Sequence, residues 1–150
     1  LEWATLLERM RTGDFDIASN NEIRGDNVLF HFVNGAGLSV ASNVEFGLTG
    51  RTADDTEFGG LLISQERTNP GTFEIRANTD FNLEGVVYLP VSTLRIGADT
   101  HIAIGAPWLS MIVKDLVLES NADVTLNIDH DVSAVPFPEE LAQMFTSLVR

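Results

Sequence analysis

The sequence predicts an all-β chain wound into a short three-sided parallel β-solenoid, a right-handed β-helix of about five coils. Three observations predict it. A six-residue pattern recurs five times. The apolar register continues past each copy. Strand-like segments alternate with period two, as strands with one buried face do.

The five copies are Phe15-Asp-Ile-Ala-Ser-Asn20, Leu38-Ser-Val-Ala-Ser-Asn43, Phe73-Glu-Ile-Arg-Ala-Asn78, Leu94-Arg-Ile-Gly-Ala-Asp99 and Leu116-Val-Leu-Glu-Ser-Asn121. Each reads large apolar, any, aliphatic, any, Ser or Ala, then Asn or Asp. Their starts are separated by 23, 35, 21 and 22 residues. Three residues after each Asn or Asp stands an apolar residue: Ile23, Phe46, Phe81, Ile102 and Val124. Two further on come Gly25, Leu48, Leu83, Ile104 and Leu126. A third apolar stretch follows in four copies, beginning near Val28, Leu61, Val86 and Met111.

About 22 residues make three short strands and three turns, and such a unit buries its inward face only by stacking on the next. Ser or Ala leaves room at the corner. Asn20, Asn43, Asn78, Asp99 and Asn121 form a structural corner ladder, because Asn and Asp tolerate the left-handed backbone of a tight turn. A β-sandwich or an up-and-down barrel also shows short strands at regular spacing. Five copies matched at two further offsets favour stacked coils.

The ends and the long interval divide the chain. Residues 1–11 predict an N-terminal capping helix, with Trp3, Leu6, Leu7 and Met10 at helical spacing. Residues 12–132 form the solenoid, with an insertion at about 50–72. Residues 133–150 form a C-terminal cap, in which Leu141, Met144, Phe145 and Leu148 follow helical spacing after Pro138. Covered ends are expected because open strand edges aggregate. Within the insertion, Asp54, Asp55 and Glu57 make an acidic loop that is a possible interaction site, and residues 65–71 make a polar Pro-Gly turn.

Composition narrows the partners. The 150-residue chain carries nine Lys plus Arg against 22 Asp plus Glu, a net charge of −13, and Lys114 is its one lysine. Such a surface repels phosphate, so nucleic acid is not an expected partner. No cysteine is present, which removes disulfides and thiolate metal sites. No apolar run is long enough to span a membrane. The chain begins with Leu1, as an excised piece does, and any anchor or targeting segment is expected outside it.

Candidate chemistry is sparse. His31, His101 and His130 show no metal-ligand spacing. Asp129 and Asp131 flank His130 and make a weak calcium candidate, without the spacing of a calcium loop. No G-x-S-x-G is present, and no histidine is placed to serve a serine. Glu74 and Glu119 read as outward carboxylates on a mixed solvent face. Thr79 and Thr100 occupy equivalent positions, but Val44 and Ala122 break the rank that an ice-binding face needs. No catalytic residue and no cofactor is assigned, and the chain does not read as an enzyme.

Three segments carry a family resemblance: Phe58-Gly-Gly-Leu-Leu-Ile-Ser-Gln-Glu-Arg67, Leu83-Glu-Gly-Val-Val-Tyr-Leu-Pro90, and Ala106-Pro-Trp-Leu-Ser-Met-Ile-Val-Lys-Asp-Leu-Val-Leu118. They resemble the C-terminal region of tight-adherence (Tad/Flp) pilus assembly proteins of the TadE/TadG type, over about residues 35–136. The helical spacing within 141–148 departs from that family's tail. The resemblance implies an envelope protein anchored to the inner membrane by an N-terminal helix that this chain lacks. Its solenoid would be periplasmic or extracellular, and its partners would be other pilus or envelope proteins. The expected function is a non-catalytic structural or interaction module. The alternatives are a carbohydrate-binding or carbohydrate-active β-helix, for which Trp108 and Tyr88 are the candidate aromatics, and a self-assembling solenoid scaffold.

Overall fold

The computed structural model describes residues 22–53 and 58–139. Among these residues, ten strands carry the fold: β1 (Glu22–Gly25), β2 (Phe30–Phe32), β3 (Leu38–Val40), β4 (Glu45–Thr49), β5 (Leu61–Gln65), β6 (Phe73–Ile75), β7 (Asp80–Ile96), β8 (His101–Ile102), β9 (Leu109–Leu118) and β10 (Asp123–Val124). All their mutual pairings are parallel. The chain is all-β, a parallel sheet curled on itself in the manner of a partial solenoid.

The pairings sort into three ladders. The first runs β1, β4, the start of β7, β8 and β10, and aligns Ile23, Phe46, Phe81, Ile102 and Val124. The second runs β2, β5, the middle of β7 and the start of β9, and aligns Phe30, Ile63, Val87 and Met111. The third runs β3, β6, the end of β7 and the end of β9, and aligns Leu38, Phe73, Leu94 and Leu116. These aligned rows point inward, and all their members except Leu116 join one apolar core. Phe46 and Phe81 stack at a centroid distance of 4.1 Å, and Phe32 meets Phe73 edge-on at 5.1 Å. Such pairs add about 0.5–1.5 kcal/mol beyond burial.

The corners follow the hexapeptide. Asn43, Asn78, Asp99 and Asn121 all have φ between 54° and 63°, the left-handed region in which Asn and Asp are enriched. Main-chain bonds continue round the turn from one copy to the next: Asn43 N–H donates to Asn78 O at 3.1 Å, and Asn78 N–H to Ala98 O at 3.1 Å. The corner between the first and second ladders is built from glycine. Gly85 sits at φ 127°, and a Cβ there would lie 2.8 Å from Gly60 O. No side chain fits that approach. β7 therefore bends through all three ladders as one strand, where the copy before it is broken by residues 50–60.

Two details depart from the sequence register. Ile104 and Leu126 are exposed, whereas the repeat places them inward. In the fourth copy the cause is local: Ala103 has φ 58°, which ends the alternation after Ile102. The Pro-Gly turn at 65–71 is polar, but its amides are interior. Gln65 Nε2 donates to Asn69 O and to Ser92 Oγ, each at 2.6 Å, and Asn69 Nδ2 donates to Ala36 O at 2.9 Å. Elsewhere, Asn34-Gly35 is a hairpin dipeptide by sequence. Here, with φ 55° and 83°, it turns the chain between β2 and β3, which belong to different ladders.

The helix read over 1–11, the first hexapeptide with Asn20, and the helical stretch 141–148 lie outside the described residues. The described part of the C-terminal segment packs on the side of the sheet. Trp108 bridges antiparallel to Ile128. Val135 and Phe137 then cover Val86 and Trp108 in a second small apolar cluster. Pro136 and Pro138 come to rest against Gly60. Among the described residues no helix is long and apolar enough to cross a membrane.

Truncating an inward ladder residue leaves a cavity that its stacked neighbours cannot fill. Phe81→Ala is expected to cost about 3–5 kcal/mol in a denaturant titration. Asn78→Ala is expected to cost about 1–2 kcal/mol, from the left-handed backbone alone, while Asn78→Gly stays near wild type. Equal losses for both Asn78 variants would mean that the side chain, not the corner geometry, is what matters.

Candidate binding surface

With the corners assigned to structure, the outward positions of the first ladder carry a polar surface. Residues one step from the inward row align Arg24, Gly47 and Asn82 across three strands. Gly47 has no side chain to fill its place, and a Cβ there would lie 3.2 Å from Arg24 Nη1. The result is a groove of about 320 Å³, with Arg24, Asp26, Thr49, Asn82 and Glu84 on its walls and Gly47 and Gly105 on its floor. A second depression of about 300 Å³ adjoins it across Asn82 and Gly105 and reaches Asp80, His101 and Ile104.

The rim of the groove is tied down. Thr49 Oγ1 donates to Asp26 Oδ1 at 3.2 Å, and Thr52 N–H donates to Asn27 Oδ1 at 3.1 Å. Arg51 Nη1 donates to Asn27 O at 3.0 Å. Ser133 Oγ donates to Glu84 Oε1, which fixes the opposite wall. The volume lies at the low end of the range for small-molecule sites, about 300–1,000 Å³. Such sites are mostly apolar, whereas this one offers a guanidinium, an amide and two carboxylates. Its chemistry suits hydrogen bonding to a polar chain lying across the ladder. Sequence reading passed over it because Arg24, Gly47 and Asn82 share no residue type. Only the stacking register places them in one row.

The residues singled out by sequence fall as follows. Asn43, Asn78, Asp99 and Asn121 stand at exposed corners, and Asn121 Nδ2 donates to Asp99 Oδ1 at 3.1 Å, a side-chain bond from one copy to the next. Asp54, Asp55 and Glu57 lie outside the described residues. Asp129 and Asp131 flank the start of a 3-10 turn, His130–Val132. The His130 ring packs on Trp108 and Phe137 at centroid distances of 5.0 and 4.7 Å. Among the described residues, no group of three or more His, Asp or Glu side chains is gathered as a metal site would need. Glu119 pairs with Arg95 at 3.5 Å and Glu74 with Arg76 at 3.7 Å. His101 Nδ1 stands 3.9 Å from Asp123 Oδ2.

Trp108 is 0% exposed, and its Nε1 donates to Val135 O at 3.1 Å and to Ser133 Oγ at 3.2 Å. It holds the returning chain and offers no face to a sugar. Tyr88 faces outward beside Ser64 and Ile112, and its hydroxyl accepts from Arg67 Nε at 3.1 Å. Thr79 and Thr100 are fully buried, and both hydroxyls donate to Arg76 O, at 2.8 and 3.1 Å. They fasten a corner and present no rank to solvent.

Compared with protein-family models, with curated proteins and with solved structures, the chain matches none.

Trp108→Phe removes the indole N–H that donates to Val135 O and Ser133 Oγ, together with one buried ring. It is expected to cost about 1–3 kcal/mol by thermal or denaturant unfolding, from the lost hydrogen bonds and the small cavity together. A loss near zero would show that residues 133–138 are held by apolar packing alone.

Proposed function

We propose that the chain is a non-catalytic interaction module of a bacterial envelope appendage, of the tight-adherence pilus assembly type. It is built as a right-handed solenoid of about five coils. One observation carries the reading. The three segments that resemble that family are far apart in sequence yet adjacent in space. They contain β5, the middle of β7 and the start of β9, which are successive strands of the second ladder. The Leu83–Pro90 segment is the middle strand of the three together with its Gly85 corner. The expected partners are other pilus or envelope proteins, which would dock on outward faces, since the corner ladder is occupied in holding the turns.

In this reading the module sits in the periplasm or outside the cell, held to the inner membrane by a helix outside this chain. The carbohydrate alternative loses its best aromatic, because Trp108 is enclosed. It keeps the polar groove at Arg24, Asn82 and Glu84 as the surface to probe.

The experiment is fractionation of cells making the full-length gene product, with protease added before and after the outer membrane is opened. Inner-membrane association with external or periplasmic protease access is the expected outcome. A soluble cytosolic product removes the proposal. A glycan array run alongside is expected to be blank, and specific glycan retention abolished by Asn82→Ala would transfer the reading to a carbohydrate-binding module.

A further inference from the structure

The two ends of the ladder stack differ. In the third ladder, Leu94 and Ile96 are 5% and 0% exposed, while their partners in the next and last row, Leu116 and Leu118, are 41% and 47% exposed. Leu116 and Leu118 hold inward positions, and they are open because no described strand stacks on them. Leu126, Ile128 and Val132 add further exposed apolar surface from the residues that follow. At the other end, Phe30, Phe32, Leu38 and Val40 hold the first described inward positions of the second and third ladders, and all four are buried within one chain, while Ile23 of the first ladder is half-buried. Among the described residues, the chain beyond Leu126 does not turn over the open row; residues 128–138 run back along the side towards Gly60.

From this asymmetry we infer that the open end binds the same end of a second copy, as a two-fold, tail-to-tail dimer. Head-to-tail stacking needs an open row at the other end, and the inward residues of the second and third ladders there are already covered. An end that meets only its like closes after two subunits. The contact is strand addition at a free edge, which supplies main-chain hydrogen bonds along its length.

The sequence of β9 fits that symmetry. A two-fold axis crossing the corner between the second and third ladders, at residues 114 and 115, exchanges those ladders and sets β9 antiparallel to its copy. Val113 then faces Leu116 of the second copy, Ile112 faces Val117, and Met111 faces Leu118. Each pair matches in direction. Met111, Val113, Leu116 and Leu118 are aligned with inward rows, and Ile112 and Val117 are aligned with the outward Tyr88 and Arg95. At the axis, Lys114 faces Asp115 of the second copy, twice over. Within one chain these two neighbours lie 3.8 Å apart, both more than half exposed. The one lysine of a chain with net charge −13 thus stands where the symmetry places an acid opposite it. Asp123 in the first ladder is the like charge that opposes closure. One row is small beside the roughly 800 Å² per partner of a standard interface, so micromolar affinity is expected.

Sedimentation velocity on the full chain, from about 1 to about 200 μM, is expected to show a monomer–dimer equilibrium with nothing larger. Lys114→Glu places four acids at the axis and is expected to raise the dissociation constant at least about tenfold. The exchanged pair Lys114→Asp with Asp115→Lys is expected to restore it, which a folding defect would not. Because the chain has no cysteine, Ile112→Cys with Val117→Cys is expected to give a disulfide-linked dimer on oxidation. A monomer at every concentration, as when residues 140–150 of the same chain occupy the end, overturns the inference. So do filaments, or a dimer indifferent to Lys114→Glu.

Discussion

No single turn of this chain can bury its own inward side chains, and the rest of the structure follows from that constraint. Three-residue strands such as β2, β3 and β6 have one buried face each and no stability alone. They gain it when an equivalent strand from the next copy is laid in register above, so that Phe46 covers Phe81 and Leu38 covers Phe73. The corners serve this stacking. Left-handed Asn and Asp residues and the crowded glycines at positions 50, 60 and 85 let the chain turn tightly enough for the next strand to arrive one spacing higher.

The same constraint explains what was legible in the sequence. A stacked fold repeats its chemistry, so the inward row from Ile23 to Val124 and the corner row from Asn43 to Asn121 are visible as spacings. What the sequence concealed is where copies differ. Ala103 adopts a left-handed backbone with nothing in the repeat to announce it, and Ile104 is turned outward as a result. Trp108 looks like an exposed aromatic on a polar coil, but a chain segment more than twenty residues later folds back to enclose it. Gln65 and Asn69 read as solvated loop residues, yet the close approach of residues 36–37 and 71–72 puts their amides inside. Each of these depends on a contact between segments with no shared pattern. The groove at Arg24, Gly47 and Asn82 was hidden for a similar reason, since its residues are related by register and not by type.

These assignments move the functional surface away from the repeat. Corner residues that resemble a polar rank are held in turn geometry, and the buried threonines bond to the main chain. The outward face of the first ladder and the last row remain. One offers mixed polar groups in a shallow groove, and the other, among the described residues, offers an apolar edge. Both suit recognition of another chain. A stack that stops with its inward leucines in water is complete as a fold only when something continues it.

The fold stands on in-register parallel stacking, which spin labels can measure directly, because cysteine pairs enter a chain that has none. Glu45, Asp80 and Asp123 occupy one outward row of the first ladder, in the order β4, β7, β8, β10. Labels at 45 and 80 should lie one strand spacing apart, and labels at 45 and 123 three spacings, about 14 Å before the label arms are added. Narrow distributions that lengthen in that order support the stack. A 45-to-123 distance beyond about 25 Å, or a 45-to-80 distance longer than it, would contradict the account at its base.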